Sequence, residues 1–163
     1  IKENIKIEVD ENSLSTQQKE FKITTRIIKE SFPDFNSAIP ENNKIKAEID
    51  TSVLISCLKR VSIFSNRTTK QTLLSFSKNG LIVSAQDPEN STSAKEHLDC
   101  LYTGEDLTVS YNAKYLIEAL QNNPTKTINV FLSTALTAAI LQPTEKQEQQ
   151  KTTTLLMPLR TNR

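Results

Sequence analysis

The segment Lys151-Thr-Thr-Thr-Leu-Leu-Met-Pro-Leu-Arg160, close to the C-terminus, decides how this chain is interpreted. Three β-branched threonines followed by adjacent apolar residues are typical of a β-strand. Pro158 must end that strand or lie at the edge of the sheet, because proline has no N–H to donate to a neighbouring strand. The segment is therefore either a last core strand with a frayed end or a strand whose end serves a binding surface.

A second apolar segment broken by prolines, Ser31-Phe-Pro-Asp-Phe-Asn-Ser-Ala-Ile-Pro40, lies far upstream. Two shorter motifs lie between them: Arg60-Val-Ser-Ile-Phe-Ser-Asn66, which we expect inside a helix, and Tyr111-Asn-Ala-Lys-Tyr115, which we expect to open a second helix. In this order and spacing, the four segments resemble the family of the bacterial DNA polymerase sliding clamp. In that family a Phe/Tyr-Pro-Asp-Tyr/Phe segment leads into the last domain, and a Met-Pro-Leu/Met-Arg segment closes the chain.

The charges of the chain are balanced, with 20 Lys and Arg against 19 Asp and Glu. This balance gives no global positive field of the kind that indicates nucleic-acid binding. No stretch has the length and apolarity of a membrane span, and no signal peptide is recognisable. Cys57 and Cys100 lack the spacing of a metal site or a disulfide framework, so we expect both to be reduced and buried in a cytoplasmic protein.

Residues for enzyme chemistry are scarce in this sequence. His97 is the only histidine, and a solvated or hydrogen-bonded strand histidine explains it better than a catalytic one. The two glycines of the chain are too few for a phosphate-binding loop. An enzyme would need a convergent polar site, for which only the scattered carboxylates Asp34, Asp99 and Glu118 are present. We therefore expect no catalytic residue, no metal and no cofactor.

The first 30 residues alternate between apolar and polar positions and predict two strands around a turn at Asp10-Glu-Asn-Ser13. Two strands cannot bury a core, so we expect them to belong to a preceding domain that is otherwise absent. The chain begins at Ile1 and not at a methionine, which leads us to expect a fragment of a longer protein. We place the end of a middle domain at residues 1–42 and a last domain at residues 43–163.

From Lys44 onward the pattern predicts a strand, a helix and three strands, and then the same order again. Asp50 or Thr51 can cap the first helix and Asn112 the second, and apolar residues follow at i, i+3, i+4 and i+7. The predicted strands are 44–50, 71–77, 81–85, 93–102, 106–111, 128–133, 135–141 and 152–157. This order resembles the clamp fold, an α+β architecture with two strand–helix–three-strand repeats. The resemblance implies that the two repeats join edge to edge, with two helices packed on one face of antiparallel sheet.

The resemblance implies a non-catalytic, ring-shaped processivity factor in DNA replication. In the family, two three-domain subunits encircle duplex DNA without reading its sequence, and the helices line the hole. The expected location is the cytoplasm, at the nucleoid. By the same resemblance Lys59, Arg60, Arg67 and Lys114 face the DNA from the helix faces opposite the buried stripes. An ordinary solvated helix face explains these four residues equally well.

The resemblance also implies a cleft that binds short peptides of the DNA polymerase, the clamp loader and other clients. Residues that match this cleft come from the domain joint, both helix ends and the last strands: Pro33, Ser37, Ala38, Thr69, Asn112, Tyr115, Leu136, Ala138, Leu155, Leu156, Met157, Pro158, Leu159 and Arg160. Ser37 and Thr69 depart from the family, where an arginine or an aromatic residue is frequent, and this implies a wider pocket. The extra residues 161–163 either flank the cleft or extend into solvent.

A third implied surface is the joint between the two subunits of the ring. Ile63 and Phe64 fall partly off the buried stripe of the first helix and match this dimer interface; core packing at the helix end is the alternative for Ile63. The full-length protein is then a homodimeric ring, whereas this chain alone is expected to be monomeric. For the whole chain, the alternative is a free-standing α+β interaction domain with clamp-like topology and no DNA role. Two more domains of the same repeated unit upstream would distinguish the two.

Overall fold

The structure is a computed structural model that describes residues 4–145 and 152–160. Clustering of the chain gives two compact units, one ending at Phe35 and the other beginning at Asn36. The boundary expected from the sequence lies further along, after residue 42. Part of the predicted polar connection 144–150 and all of the C-terminal residues 161–163 lie outside the described residues.

The first unit contains three antiparallel strands in sequential order: β1 (Lys6–Val9), β2 (Ser13–Gln18) and β3 (Phe21–Arg26). The prediction of two strands is wrong here, because the middle strand reads Ser-Leu-Ser-Thr-Gln-Gln and lacks an apolar alternation. Backbone pairing on both of its sides makes it a strand in spite of its composition. No described residue of this unit is buried, and Ile7 and Ile23 expose more than 60% of their surface on one face of the meander.

The second unit contains nine strands and two helices among the described residues. They are β4 (Ile45–Asp50), α1 (Thr51–Val61), β5 (Gln71–Ser77), β6 (Gly80–Asp87), β7 (Thr92–Leu98), β8 (Leu101–Thr103), β9 (Leu107–Asn112), α2 (Ala113–Gln121), β10 (Thr127–Leu132), β11 (Ala139–Pro143) and β12 (Thr154–Leu156). A five-stranded sheet has the order β12-β11-β10-β4-β8, and a four-stranded sheet has the order β7-β6-β5-β9. All pairings are antiparallel. The predicted repeat is confirmed: β4-α1-β5-β6-β7 is followed by β9-α2-β10-β11-β12.

The two repeats exchange their first strands. Strand β4 of the first repeat pairs with β10 of the second, and β9 of the second repeat pairs with β5 of the first. Two equivalent hydrogen bonds join the two repeats. Thr51 N–H donates to the Lys126 carbonyl (2.9 Å), and Ala113 N–H donates to the Lys70 carbonyl (2.8 Å). In each case the first residue of a helix bonds to the residue just before the exchanged partner strand. Neither repeat can therefore complete its sheet without the other.

The helices form one layer that contacts both sheets and each other. Asp50 is the cap of α1, since its carboxylate accepts from the N–H groups of Ser52 (2.9 Å) and Val53 (3.0 Å). The predicted buried face of α1 is confirmed as Leu54, Cys57, Leu58 and Val61, and α2 buries Ala113, Leu116 and Leu120. A buried aliphatic side chain of this kind stabilises the fold by about 1.5–3 kcal/mol.

The motif from Arg60 to Asn66 does not lie inside the first helix as predicted. Helix α1 ends at Val61, and a short 3₁₀ turn follows over Ser62–Phe64. Ser65 closes this turn twice, because its N–H (3.2 Å) and its hydroxyl (2.7 Å) both donate to the Ser62 carbonyl. Serine side chains compete for backbone carbonyls in this way and end helices locally.

Two predicted strands have different bounds in the structure. The stretch 93–102 is two strands, β7 and β8, which the chain places in different sheets after a break at Asp99-Cys100. The stretch 135–141 becomes a strand only at Ala139, because the hydroxyl of Thr134 accepts from the N–H groups of Leu136 (3.3 Å) and Thr137 (3.2 Å) and holds a turn. Alternation of apolar residues alone could not reveal either break.

The hydroxyl of Tyr111 offers a test of this core. Tyr111 is 2% exposed, and its hydroxyl has no hydrogen-bond partner among the described residues; the same burial raises the pKa of its phenol. A buried hydroxyl without a partner opposes folding. We expect Tyr111→Phe to leave the free energy of unfolding unchanged or raise it by about 1 kcal/mol, measured by urea denaturation.

Tyr102 provides the matched control. Its hydroxyl donates to the Glu105 carbonyl, and its ring stacks on Phe76 with centroids 5.8 Å apart. Tyr102→Phe keeps the stacking and loses the hydrogen bond, so it is expected to lower the free energy of unfolding by about 1 kcal/mol. A larger loss for Tyr111→Phe than for Tyr102→Phe would show that the Tyr111 hydroxyl is paired in solution.

Candidate functional site

The C-terminal segment 157–160 crosses from one sheet to the other. It leaves β12 at the edge of the five-stranded sheet, and Leu159 N–H then donates to the Ser110 carbonyl (2.7 Å) on β9, the edge of the four-stranded sheet. Strand β8 makes the equivalent crossing in the first repeat, where Leu101 pairs with Glu48 of β4. Pro158 has no N–H, so this segment, hereafter the tail, cannot pair with β9 as a regular strand.

The tail begins beside the turn that precedes β11. Strands β11 and β12 pair Ala139 with Leu156, so the residues next in line, Ala138 and Met157, are neighbours. The side-chain amide of Asn43 joins this turn to the beginning of the unit: its Nδ2 donates to the carbonyls of Phe131 (3.1 Å) and Ala138 (3.2 Å). The start of the second unit and the base of the tail are thus fixed to the same turn.

Asn112 joins the far end of this surface to helix α2. Its Oδ1 caps the helix by accepting from the N–H groups of Lys114 (2.9 Å) and Tyr115 (3.4 Å). Its Nδ2 donates to the Thr69 carbonyl (2.9 Å), which fixes the turn before β5. Ser110, which binds the tail, lies two residues before Asn112 on β9. The tail, the start of α2 and Thr69 therefore lie along the β9 edge of the four-stranded sheet.

Three large apolar side chains at the start of α2, in the turn before β11 and in the tail are exposed: Tyr115 by 60%, Leu136 by 66% and Met157 by 65%. We call the surface formed by these side chains and the tail the tail patch. Exposed apolar side chains that surround a few fixed polar groups are typical of a binding surface.

The other predicted cleft residues differ in how far they are exposed to solvent. Leu155, Leu156, Pro158 and Leu159 are half-buried, Ala138 is buried, and Thr69 and Arg160 are exposed. Ser37 and Ala38 are exposed in the 3₁₀ turn Phe35–Ala38, upstream of Asn43. Pro33 belongs to the first unit, so its place in the cleft stays a prediction.

The sequence interpretation missed two residues that position the tail patch. Asn43 lies in the polar stretch Glu41-Asn-Asn43 before β4, and its amide donates to two carbonyls that are 88 and 95 residues further along the chain. Ser110 was treated as one position of an alternating strand, although it is buried where the tail meets β9. A buried serine and a joint asparagine carry no local sequence signal, because their partners come from distant segments.

The four cations expected to face DNA differ in their surroundings. Lys59 and Lys114 are exposed on α1 and α2, and Lys114 lies 4.0 Å from Glu118. Arg60 forms an ion pair with Glu96 of β7, which lowers the pKa of that carboxyl. Arg67 lies in a turn after Asn66 and not on a helix face, so that part of the prediction is wrong.

The two residues expected at a ring joint follow α1 directly. In the 3₁₀ turn Ser62–Phe64, the exposed fraction is 76% for Ile63 and 38% for Phe64. This turn contacts β6 and β7, and β7 is the outer strand of the four-stranded sheet. Ile63 is therefore not a core residue of this unit, which removes the alternative of core packing at the helix end.

The histidine and the two cysteines considered for chemistry have hydrogen bonding or burial typical of residues that support the fold. His97 lies on β7 with its ring Nε2 2.9 Å from the Asn79 carbonyl. Cys57 is fully buried, and burial raises the pKa of its thiol to about 12, whereas Cys100 is half-buried. Over residues 4–145 and 152–160, no three His, Cys, Asp or Glu side chains form a group that could hold a metal ion. In the same ranges no helix is long and apolar enough to cross a membrane.

Comparison with known proteins identifies a family match and several relatives. Residues 36–160 match the family model of the DNA polymerase III beta subunit, C-terminal domain. The beta sliding clamp of Haemophilus influenzae is 27% identical over 158 residues, which cover 97% of this chain and 42% of the relative. The beta sliding clamp of Salmonella typhimurium is 24% identical and matches 96% of this chain, again 42% of its own length. The chain thus spans less than half the length of these curated relatives.

Solved structures have the same fold. The DNA polymerase III subunit beta sliding clamp of Bartonella birtlesii, bound to griselimycin, superposes with a TM-score of 0.87 at 25% identity and covers 96% of this chain and 41% of that protein. The sliding clamp of Pseudomonas aeruginosa with ligand gives a TM-score of 0.86 at 23% identity, with coverage of 96% and 42%. The expected α+β clamp fold is confirmed, and the alternative of a free-standing interaction domain is not favoured.

Asn112 allows a test of how the tail patch is fixed. Asn112→Ala removes the α2 cap and the bond to the Thr69 carbonyl, so we expect the free energy of unfolding to fall by about 1–2 kcal/mol. Asp50→Ala removes the equivalent cap of α1 and the hydrogen bond from the Ser52 hydroxyl (2.6 Å), but no bond to a distant turn, and should cost about 1 kcal/mol. Amide hydrogen exchange would separate the two, since only Asn112→Ala should increase exchange at residues 68–70. Equal exchange there in both variants would contradict a positioning role for Asn112.

Proposed function

Because the chain belongs to the family of the DNA polymerase III beta subunit, whose C-terminal domain its residues 36–160 match, we propose that it is part of a DNA sliding clamp. The complete protein closes into a ring around duplex DNA and tethers the replicative polymerase for processive synthesis. It acts by holding its partners and not by catalysis, and it works in the cytoplasm at the nucleoid. We infer this role for the whole protein, of which this chain is one section.

The path of the tail is the observation that carries the proposal. A segment fixed by Leu159 to β9, with Met157 beside Ala138, leaves Met157 65% exposed while Pro158 and Leu159 are half-buried. We propose that the tail patch is the floor of a cleft for short peptides of the polymerase, the clamp loader and other clients. Ser37 and Ala38, at the start of the same unit, form the opposite wall in this proposal.

The expected affinity of such a cleft is moderate. Each leucine or phenylalanine side chain that a peptide buries contributes about 1.5–3 kcal/mol. Two or three such anchors, less the free energy needed to order the peptide, correspond to a dissociation constant of about a micromolar. Clients bound this weakly can exchange, which a shared platform requires.

We assign the DNA-facing role to the helix layer. A ring retains DNA by enclosing it, so it needs few tight phosphate contacts, and tight contacts would slow sliding. Lys59 and Lys114 provide exposed positive charge on the two helices, with Arg67 in the turn near α1. The pairing with Glu96 neutralises Arg60 and makes it the weakest contributor of the four.

We propose that the edge of the four-stranded sheet forms the ring joint. Ile63 and Phe64 are exposed there and would pack on the first domain of a second subunit. The first unit, whose strands expose one apolar face, is proposed to be the end of the middle domain, within residues 1–42, with the last domain at 43–163. Without the partner domain, the isolated chain is a monomer.

Met157→Asp tests the cleft. A charged side chain at the centre of the tail patch cannot be desolvated by an apolar anchor, so peptide affinity should fall by more than about tenfold. The measurement is a fluorescence anisotropy titration with a labelled Gln-Leu-Ser-Leu-Phe peptide. Leu101→Asp is the matched control, because Leu101 is 72% exposed on β8, at the position that corresponds to Leu159 in the other repeat. Equal loss in both variants, or none in Met157→Asp, would refute the cleft.

The DNA-facing assignment is tested in the full-length clamp. Lys59→Glu combined with Lys114→Glu should slow loading onto nicked circular DNA by roughly two- to tenfold at low salt, through lost electrostatic steering. Lys46→Glu with Lys78→Glu is the control, since Lys46 lies on a strand and Lys78 in a hairpin turn away from the helix layer. If both pairs slow loading equally, the helix layer has no special role.

A further inference from the structure

The first repeat contains a surface that corresponds to the tail patch of the second. Leu101 of β8 pairs with Glu48 of β4, as Leu159 of the tail bonds to Ser110 of β9. Strand β8 is also the last strand of its sheet, and no strand in the described ranges pairs with its outer side. An edge strand of this kind offers unpaired backbone N–H and carbonyl groups to another chain.

The start of α1 lies beside this strand. Asp50 caps α1 as Asn112 caps α2, and the third residue after each cap donates its N–H to the cap side chain. These residues are Val53 (3.0 Å) and Tyr115 (3.4 Å). Val53 is 45% exposed and Leu101 is 72% exposed, so apolar side chains are uncovered here as well. The β8 patch is the surface formed by Glu48, Asp50, Val53, Leu101 and Glu105.

The β8 patch differs from the tail patch in its charge. Glu48 and Asp50 are two residues apart on β4 and therefore lie on the same face of the sheet. Leu101 is the cross-strand partner of Glu48 and shares that face. Hydrogen bonds from the Ser52 hydroxyl (2.6 Å) and from Val53 N–H (3.0 Å) lower the pKa of Asp50, so this carboxyl is charged at neutral pH.

Two more carboxylates follow β8. Glu105 and Asp106 are both exposed, and the Tyr102 hydroxyl donates to the Glu105 carbonyl and so holds this turn against β8. Burial raises the pKa of the Tyr102 phenol, and the negative charge of Asp106 adds to this rise. The carboxylates after β8 thus act on the same strand as those of β4.

Two lysines offset part of this negative charge. Lys46 Nζ lies 3.7 Å from the Glu48 carboxylate, and Lys126 makes the smallest contribution to the lowered pKa of Asp50, after the hydrogen bonds. Both lysines are exposed, and solvent-exposed pairs of this kind contribute little and exchange readily. Glu105 and Asp106 add to Glu48 and Asp50, so the surface keeps an excess of negative charge.

The roles proposed above leave the β8 patch uncovered. The ring joint was assigned to the turn that follows the end of α1 and to the four-stranded sheet, whereas β8 belongs to the five-stranded sheet and adjoins the start of α1. Helix α1 has 11 residues, so its two ends are about 16 Å apart. Lys59, assigned to the DNA-facing layer, lies in the last turn of that helix.

From these observations we propose that the β8 patch binds an extended basic segment of a partner protein, in which an apolar side chain covers Leu101 and flanking Lys or Arg side chains pair with the carboxylates. Addition of a strand to β8 supplies backbone hydrogen bonds. Alternate residues of a strand face the same side, so the spacing basic-x-apolar-x-basic fits this surface. The proposal does not depend on the peptide cleft.

Other occupants fit the β8 patch less well. The carboxylates repel the phosphates of DNA, whose binding requires positive charge on the protein. In the part of the chain that the structure describes, no three His, Cys, Asp or Glu side chains converge to hold a metal ion. The exposed Leu101 also needs an apolar partner, which neither DNA phosphates nor an ion provides.

The test compares two peptides that differ only in the sign of their charge, Lys-Thr-Leu-Thr-Lys and Glu-Thr-Leu-Thr-Glu. Titration of the ¹⁵N-labelled chain at low salt, followed by two-dimensional NMR, measures both affinities and locates the binding surface. We expect the lysine peptide to bind about five- to tenfold more tightly than the glutamate peptide. It should shift the amide signals of residues 47–53 and 100–105, whereas the cleft probe Gln-Leu-Ser-Leu-Phe should leave these signals in place.

Glu48→Gln combined with Asp50→Asn removes two charges and keeps the cap of α1, because asparagine caps helices as well as aspartate does. We expect this variant to bind the lysine peptide about three- to tenfold more weakly. Leu101→Ser should weaken the same binding about three- to fivefold through the lost apolar contact. Glu89→Gln with Glu118→Gln is the matched control, since it changes the net charge equally in the turn after β6 and on α2.

A loss of affinity in the β8-patch variants with none in the control pair would support the proposal. Equal affinity for the two charged peptides, or an equal loss in the control pair, would overturn it. Shifts centred on the tail patch would also overturn it. If Leu101→Ser changes the self-association of the chain and not its affinity for the lysine peptide, the surface is a contact between copies and the proposal falls.

Discussion

The exchange of first strands between the two repeats is the constraint on which the rest of this structure depends. Each repeat lends one strand to the sheet of the other, and the N–H of Thr51 or Ala113 closes the exchange on a carbonyl across the repeat boundary. The first residue of each helix is therefore fixed to the opposite repeat, and the two helices contact each other in one layer. A buried backbone N–H without a partner costs free energy, so neither helix can move relative to the two sheets without losing one of these bonds.

The same exchange creates the candidate site. Each lent strand becomes a sheet edge or adjoins one, and the chain returns to cover it: β8 covers β4, and the tail covers β9. Strand β8 pairs with β4 through three residues, whereas the tail, with Pro158, is held to β9 by the hydrogen bond from Leu159 N–H. Both covers leave one large apolar side chain exposed, Leu101 by 72% and Met157 by 65%. Equivalent positions of the two repeats thus differ in their backbone pairing, because one of them contains a proline.

Electrostatics has a secondary part in this unit. The chain is nearly neutral, Arg60 is paired with Glu96, and Lys114 is loosely paired with Glu118. The ring proposed above, which would hold DNA by enclosing it, tolerates this balance, since exposed charges would need to guide the duplex only loosely.

The sequence by itself determined the repeated order of strand, helix and three strands, the buried face of α1 and the cap Asn112, because these depend on local periodicity and hydrogen bonding. It also predicts Met157 and Tyr115 as site residues, through motifs that resemble a family. Only the tertiary structure decided that β7 and β8 lie in different sheets, that Arg60 is paired, and that Asn43 and Ser110 position the tail. These features join residues far apart in the chain, and no local pattern encodes a partner that folding alone brings near.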